Sequence, residues 1–189
     1  MADTNKVEFG ISELHFCTYE DNNGTVTLGS PFAEPGAVSL TLEPQGDSVN
    51  FYADNVAYWA RINDNGFTGT LTVAKFSDTF KKSLLGYVEL DDGGIAQLKG
   101  VNKPSVCLMF ESDGDADQRR GILYNVTLGN INRSYNTETD TVEVDTESIE
   151  ITVVGDNTTK IVKASYDGQA TGYSTLFTNP PVPALPASL

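Results

Sequence analysis

PGAVSLTLEPQGDSVNFYADNVAYWARINDNGFTGTLTVAKFSDTF, residues 35–80, decides how this chain folds. Side chains along a strand point alternately to opposite faces, so a strand with one covered face repeats every two residues. Val38, Leu40 and Leu42 alternate with Ser39 and Thr41, and Leu71 and Val73 alternate with Thr70, Thr72 and Ala74. PQGD at 44–47 and NDNG at 63–66 are turn signals between such runs. At 77–86 (SDTFKKSLLG) the period changes. Ser77 is placed to cap a helix, Asp78 suits its first turn, and Gly86 suits its stop. Phe76, Phe80 and Leu84 are four apart and Leu85 widens the stripe, so one short helix from about Ser77 to Leu85 should lie on a sheet.

Outward from this stretch the strand pattern continues. Ile122, Tyr124, Val126 and Leu128 are expected to share one face of a strand, with Asn125 and Thr127 on the other. Val142 and Val144, then Ile149, Ile151 and Val153, repeat the alternation. VCLMF at 106–110 is apolar on both faces, as a central strand covered on both sides would be. NNG at 22–24, DDGG at 91–94 and DG at 113–114 are further turn signals, and a hairpin is expected from Tyr87 to Leu90 and from Ile95 to Leu98. About ten strands and one helix favour a mainly β fold, a sandwich or barrel with long loops and extended termini, over alternating β and α units. The expected organisation is a single β domain over 1–167 and an extended Gly/Pro-rich C-terminal arm over 168–189. Half of the eight prolines lie in TNPPVPALPASL, residues 178–189, which reads as extended chain. An ordered arm of this kind needs a surface to lie on, and Phe177, Val182 and Leu185 are its candidate anchors.

The composition restricts function. Lys and Arg number 12 against 26 Asp and Glu, a formal charge of −14. Too few cations are present to neutralise a nucleic acid backbone or to hold anionic lipid. The opening MADTNKVEFG has no signal-like apolar run, and no stretch is long and apolar enough to read as a membrane span. Cys17 and Cys107 lie in strand-like runs without metal-ligand spacing and read as reduced, partly buried thiols. His15 is the one histidine, so His-pair and His-triad metal sites are excluded and one candidate base remains, in a strand-like run. Asp113, Asp115 and Asp117 open like a calcium loop, but Gln118 and Tyr124 stand where that loop needs Gly and Glu. Neither G-x-x-x-x-G-K nor G-x-G-x-x-G occurs. No catalytic residue, metal site or cofactor is expected, and the chain does not read as an enzyme.

Several segments in order carry a resemblance. They are VEFGISELHFCTYE (7–20), PGAVSLTLEPQGD (35–47), FYADNVAYW (51–59), NGFTGTLTVAKFSDTFKKSLLG (65–86), the DDGG hairpin, LMFESDGD (108–115) and RRGILYNV (119–126). Taken together, this series resembles the major tail protein, or tail tube protein, of long non-contractile-tailed phages of Gram-positive bacteria, the siphovirus type. The likeness covers about residues 7–164; the first few residues and the proline-rich end depart from it. The resemblance implies a β-sandwich or barrel with one flanking helix, assembled as homohexameric rings that stack head-to-tail into the tail tube. It implies a virion tail assembled in the host bacterial cytoplasm. Its other protein partners would be the tape measure, distal tail and tail terminator proteins. Double-stranded DNA would pass through the lumen without specific binding, and no membrane would be engaged.

Within that frame, the segment from Glu43 to Trp59 is expected to reach the next ring. Glu43, Asp47, Phe51, Tyr52, Asp54, Asn55, Tyr58 and Trp59 are its candidate contacts, because the segment is too aromatic for an idle loop; a strand pair in the core is the alternative. Six copies at −14 each should give an acidic or neutral lumen that repels DNA rather than holding it. Two other functions fit the residues: a ligand- or carbohydrate-binding β-sandwich with an aromatic platform, and a tail component that forms one ring without growing, such as a terminator or baseplate protein.

Overall fold

The computed structural model describes residues 10–53, 56–113, 118–135 and 145–186. The chain order is β1 (Ile11–Asn22), β2 (Thr25–Leu28), β3 (Phe32–Ala33), β4 (Ala37–Pro44), β5 (Ser48–Ala53), β6 (Val56–Ile62) and β7 (Phe67–Val73). Then follow α1 (Asp78–Leu85), β8 (Val88–Glu89), β9 (Ile95–Ala96), β10 (Ser105–Ser112), β11 (Arg120–Arg133), β12 (Glu147–Val153) and β13 (Lys163–Tyr166). The fold is mainly β with one short helix. Nine strands form one antiparallel sheet in the order β2-β1-β10-β11-β12-β7-β4, with β3 added to β1 and β13 to β11. β5–β6 and β8–β9 are separate two-stranded ladders.

The large sheet curls. β4 ends the strand order, yet Leu40 and Leu42 line a slot together with Ile11 of β1 and Phe110 of β10. Among the described residues no ladder closes that slot or pairs with the outer edge of β4. Inside the curl lies the main core: Leu14, Phe16, Leu71, Val73, Val106, Leu108, Leu123, Val126, Ile149, Ile151 and Val153, with Phe76, Phe80, Leu84 and Leu85 of the helix segment packed among them. The expected stripe of the helix is thus wholly buried. Ser77 Oγ accepts from Phe80 N at 3.1 Å, and Gly86 takes the left-handed conformation at φ +69° that ends the helix.

Two buried carboxylates anchor this helix start, and the apolar periodicity gave no sign of them. Glu34 is fully buried; it accepts from Ser77 N and Ser77 Oγ, each at 2.6 Å. Glu147 on β12 accepts from Phe76 N at 2.8 Å and pairs with Arg133 at 3.1 Å. Buried charge is tolerated only when hydrogen-bonded or paired; Glu34 is hydrogen-bonded, and Glu147 is both hydrogen-bonded and paired.

The expected face for Ile122, Tyr124, Val126 and Leu128 needs correction. Ile122 and Tyr124 belong to a second cluster on the outside of the curl, with Cys17, Tyr19, Cys107, Met109 and Leu176. Val126 and Leu128 point into the main core. Asn125 lies between them at φ +51°, and the β10–β11 register shifts in this region. One residue out of phase turns every later side chain to the other face. Val38 is corrected likewise: a register shift between Ala37 and Ser39 leaves it exposed while Leu40 and Leu42 pack inward. Val142 and Val144 lie outside the described residues. The double-faced run at 106–110 does form a central strand, β10, between β1 and β11.

The outer cluster is covered by the end of the chain. Successive turns lead from Asp167 to Asn179. Leu176 is fully buried against the sheet, and Tyr124 Oη donates to Pro181 O at 3.0 Å. The Arg120 guanidinium lies 4.1 Å from the Tyr173 ring centre and 4.3 Å from that of Phe177, and the His15 ring stacks on Phe177 at 4.4 Å. His15 therefore serves the docking of the arm.

Candidate assembly interface

The two halves of the opening stretch, β4 and β7, pair from Ala37–Val73 to Pro44–Phe67. Their pairing does not stop where the sheet stops. Gln45 N donates to Gly66 O at 2.8 Å, Asn65 N to Gln45 O at 2.8 Å, and Asn63 N to Asp47 O at 3.0 Å. Beyond this neck the same two chain segments continue as β5 and β6, paired from Ser48–Ile62 to Ala53–Val56. PQGD and NDNG, each a turn signal by sequence, do not reverse the chain. They face one another across the neck.

Local chemistry explains the joint. A Cβ on Gly46 would lie 2.0 Å from Asn63 O, and one on Gly66 (φ +88°) would lie 2.0 Å from Val153 O. Only glycine allows both approaches. Gln45 Nε2 donates to Thr68 Oγ1 at 2.7 Å and Gly66 N to Asp64 Oδ1 at 3.1 Å, so side chains brace the neck on both strands.

The hairpin beyond the neck leaves large apolar side chains in water. Tyr58 is 77% exposed, Val56 60% and Trp59 50%. Burying such area against a partner is worth roughly 25 cal/mol per Å², and uncovered apolar surface of this kind marks contact sites. Among the expected contact residues, Glu43 lies exposed at the end of β4 and Asp47 exposed in the neck. Phe51 and Tyr52 are on β5, opposite Trp59 and Ala57, with a register irregularity between them. Asp54 and Asn55 lie outside the described residues. Asp47, Phe51, Tyr52, Tyr58 and Trp59 thus lie along the neck and the β5–β6 ladder, while Glu43 lies in the large sheet opposite Thr68 of β7. Val56, exposed on β6 near Tyr58, was not among the expected contacts.

Of the three expected arm residues, Phe177 packs within its own chain, between His15 and Arg120. Val182 and Leu185 are 47% and 52% exposed, while Pro180 and Pro183 take the buried positions. Val182 and Leu185 are three residues apart, the repeat of an extended proline-rich helix, and such spacing suits one stripe.

Among the described residues no group of three or more His, Cys, Asp or Glu is placed to hold a metal ion. No helix among them is long and apolar enough to cross a membrane.

No protein-family model and no curated protein matches the chain. Among solved structures, a chain of an extracellular contractile injection system, the PVC sheath–tube complex in its extended state, is similar at a TM-score of 0.46 and 10% identity. That match covers 81% of this chain and 88% of the other. A chain of the anti-feeding prophage baseplate, six-fold symmetrised, is similar at 0.48 and 10% identity, covering 89% of this chain and 99% of the other.

Proposed function

We propose that this protein is a tail tube subunit of the long non-contractile phage type, which forms hexameric rings that stack into a DNA-conducting tube. The carrying observation is the β4–β7 ladder that runs past its own sheet, through a glycine neck, into a hairpin whose Val56, Tyr58 and Trp59 are uncovered. A monomer gains nothing from extending two paired strands into water and placing aromatic groups on them. A subunit that must reach a neighbour does.

Two further features support the reading. Among the described residues β4 has no partner on its outer edge, beside the slot at Phe110, and β2 ends the sheet at the other side. Open edges invite strand pairing between molecules, and a ring of such pairings leaves no edge free. The hairpin would then contact a different surface on the next ring. That contact is head-to-tail, so it does not close and it grows a filament. The exposed Val182 and Leu185 add a second ridge for a neighbouring copy.

The test is electron microscopy of the purified chain with its tail-initiating partners. Striated tubes are the expected result. Single rings would assign it to a terminator or baseplate role, and persistent monomers would overturn the assembly reading altogether.

A further inference from the structure

We infer that Cys17 and Cys107 form a peroxide-sensitive dithiol that closes into a disulfide across the large sheet. The inference concerns the subunit itself and does not rest on the tube reading.

The chain has two cysteines, one on β1 and one on β10. The strand register sets them directly opposite each other, between the pairs Phe16–Leu108 and Thr18–Val106. Opposed residues of an antiparallel pair point to the same face, with Cα atoms about 4.5–5.5 Å apart. A disulfide spans Cα atoms about 4.4–6.8 Å apart, so the register meets its main requirement. Both side chains are fully buried in the outer cluster, beside Tyr19, Met109 and Tyr124.

The two thiols are unequal. Cys17 Sγ accepts a hydrogen bond from the Cys107 thiol, and this bond holds Cys17 below the ordinary thiol value against the opposing push of burial. The Cys107 backbone N–H assists it. Cys107, as the donor, is pushed up instead. Cys17 is therefore the nucleophile of the pair, since the thiolate is the reactive form. Its thiolate attacks one oxygen of hydrogen peroxide and the O–O bond breaks. Cys17 becomes a sulfenic acid, and the other oxygen leaves as hydroxide, which takes up a proton to give water. The Cys107 sulfur then attacks the Cys17 sulfur and the S–O bond breaks. The hydroxyl leaves with the Cys107 proton as a second water. Two thiols have lost two electrons, and one peroxide has gained them.

The C-terminal segment controls access. Leu176 completes the cluster around the pair, and Arg120 holds the segment down. Its Nη1 donates to Tyr173 O at 2.8 Å, and its guanidinium lies against the rings of Tyr173 and Phe177. Peroxide reaches Cys17 when this segment loosens. The new bond closes residues 17–107 into one loop and ties β1 to β10, which restricts the unfolded chain. In a reducing compartment the pair stays open.

The test treats the folded chain with hydrogen peroxide, denatures it in a maleimide and reads the intact mass. The expected product is a single chain lighter by two hydrogen atoms that takes up no maleimide until a reductant is added. Leu176→Ala should reach that product several-fold faster. Cys107→Ser cannot form the bond and should hold a sulfenic acid on Cys17 that a cyclic diketone captures. Cys17→Ser should keep its Cys107 thiol. The inference is overturned if the unmodified chain and Leu176→Ala both retain two free thiols, or if the disulfide forms only in urea or between two copies. Oxygen added to the unmodified chain without a disulfide overturns it equally. Oxidation of Cys107 in Cys17→Ser, or no sulfenic acid in Cys107→Ser, would refute Cys17 as the nucleophile, and equal rates in Leu176→Ala would refute the cover.

Discussion

Tyr19 Oη donates to Asp156 Oδ1 at 2.7 Å, joining β1 to the loop after β12 across most of the chain. Burial pushes the Asp156 carboxyl up, but hydrogen bonds from Thr159, Tyr19 and Thr158 outweigh it and hold the group below the ordinary carboxylate value. Burial first, and then the bond to Asp156, pushes the Tyr19 phenol up. A carboxyl depressed in the folded state contributes stability above its unfolded value and loses it as pH falls through the folded one. Asp156→Asn should therefore destabilise most at neutral pH, and its deficit should shrink in acid. Tyr19→Phe should cost about 1.5–3 kcal/mol, the range for a hydrogen bond to a charged group. Urea denaturation of each variant across the pH range checks both.

Asn125 should tolerate glycine better than any branched residue. Its φ of +51° is left-handed, and its Nδ2 donates to Gly155 O at 2.9 Å. Asn125→Val should lose that bond and add about 1–2 kcal/mol of backbone strain. Asn125→Gly should lose the bond without the strain. The difference between the two in chemical denaturation reads the strain directly.

The C-terminal segment should guard the thiols. Cys17 and Cys107 are directly opposed on β1 and β10, fully buried, in the cluster that Leu176 completes. The hydrogen bond to Cys17, and then burial, push the Cys107 thiol up, so it stays protonated and unreactive. Leu176→Ala should cost about 2–5 kcal/mol as a large-to-small core change. It should also speed thiol labelling in native buffer relative to the unmodified chain, whose two cysteines are fully buried.

Ser77 should matter more than an ordinary cap. Ser77→Ala removes the bond to Phe80 N, which typically costs about 0.5–2 kcal/mol, and also the hydroxyl that donates to buried Glu34. The loss should lie at or above the top of that range, measured by urea denaturation.

The hairpin should separate folding from assembly. Tyr58→Ala and Trp59→Ala remove exposed side chains, so subunit stability should stay within about 0.5 kcal/mol while tube formation is lost. Deleting residues 45–50 or changing Tyr52 to Ala should act likewise. Gly46→Ala should disturb the neck, because its Cβ would meet Asn63 O at 2.0 Å. Denaturation curves paired with microscopy distinguish the two effects, and normal tubes from these variants would remove the hairpin from the interface.

Local rules were enough to read much of this molecule. The period-two runs at 67–73 and 147–153, the doubly apolar run at 106–110, the turn at 22–24 and the capped helix after Ser77 all follow from alternation, propensity and capping, which act within a few residues. Phase, partnership and reach do not. Whether Val126 faces the same side as Tyr124 depends on one left-handed residue, Asn125, held by a carbonyl 30 positions away. Whether PQGD and NDNG end strands or join them depends on their meeting each other. Whether Glu34 can be buried depends on Ser77, which it meets only after the sheet has curled. Such outcomes are contacts between distant segments, and their free energy exists only once the chain has brought those segments together.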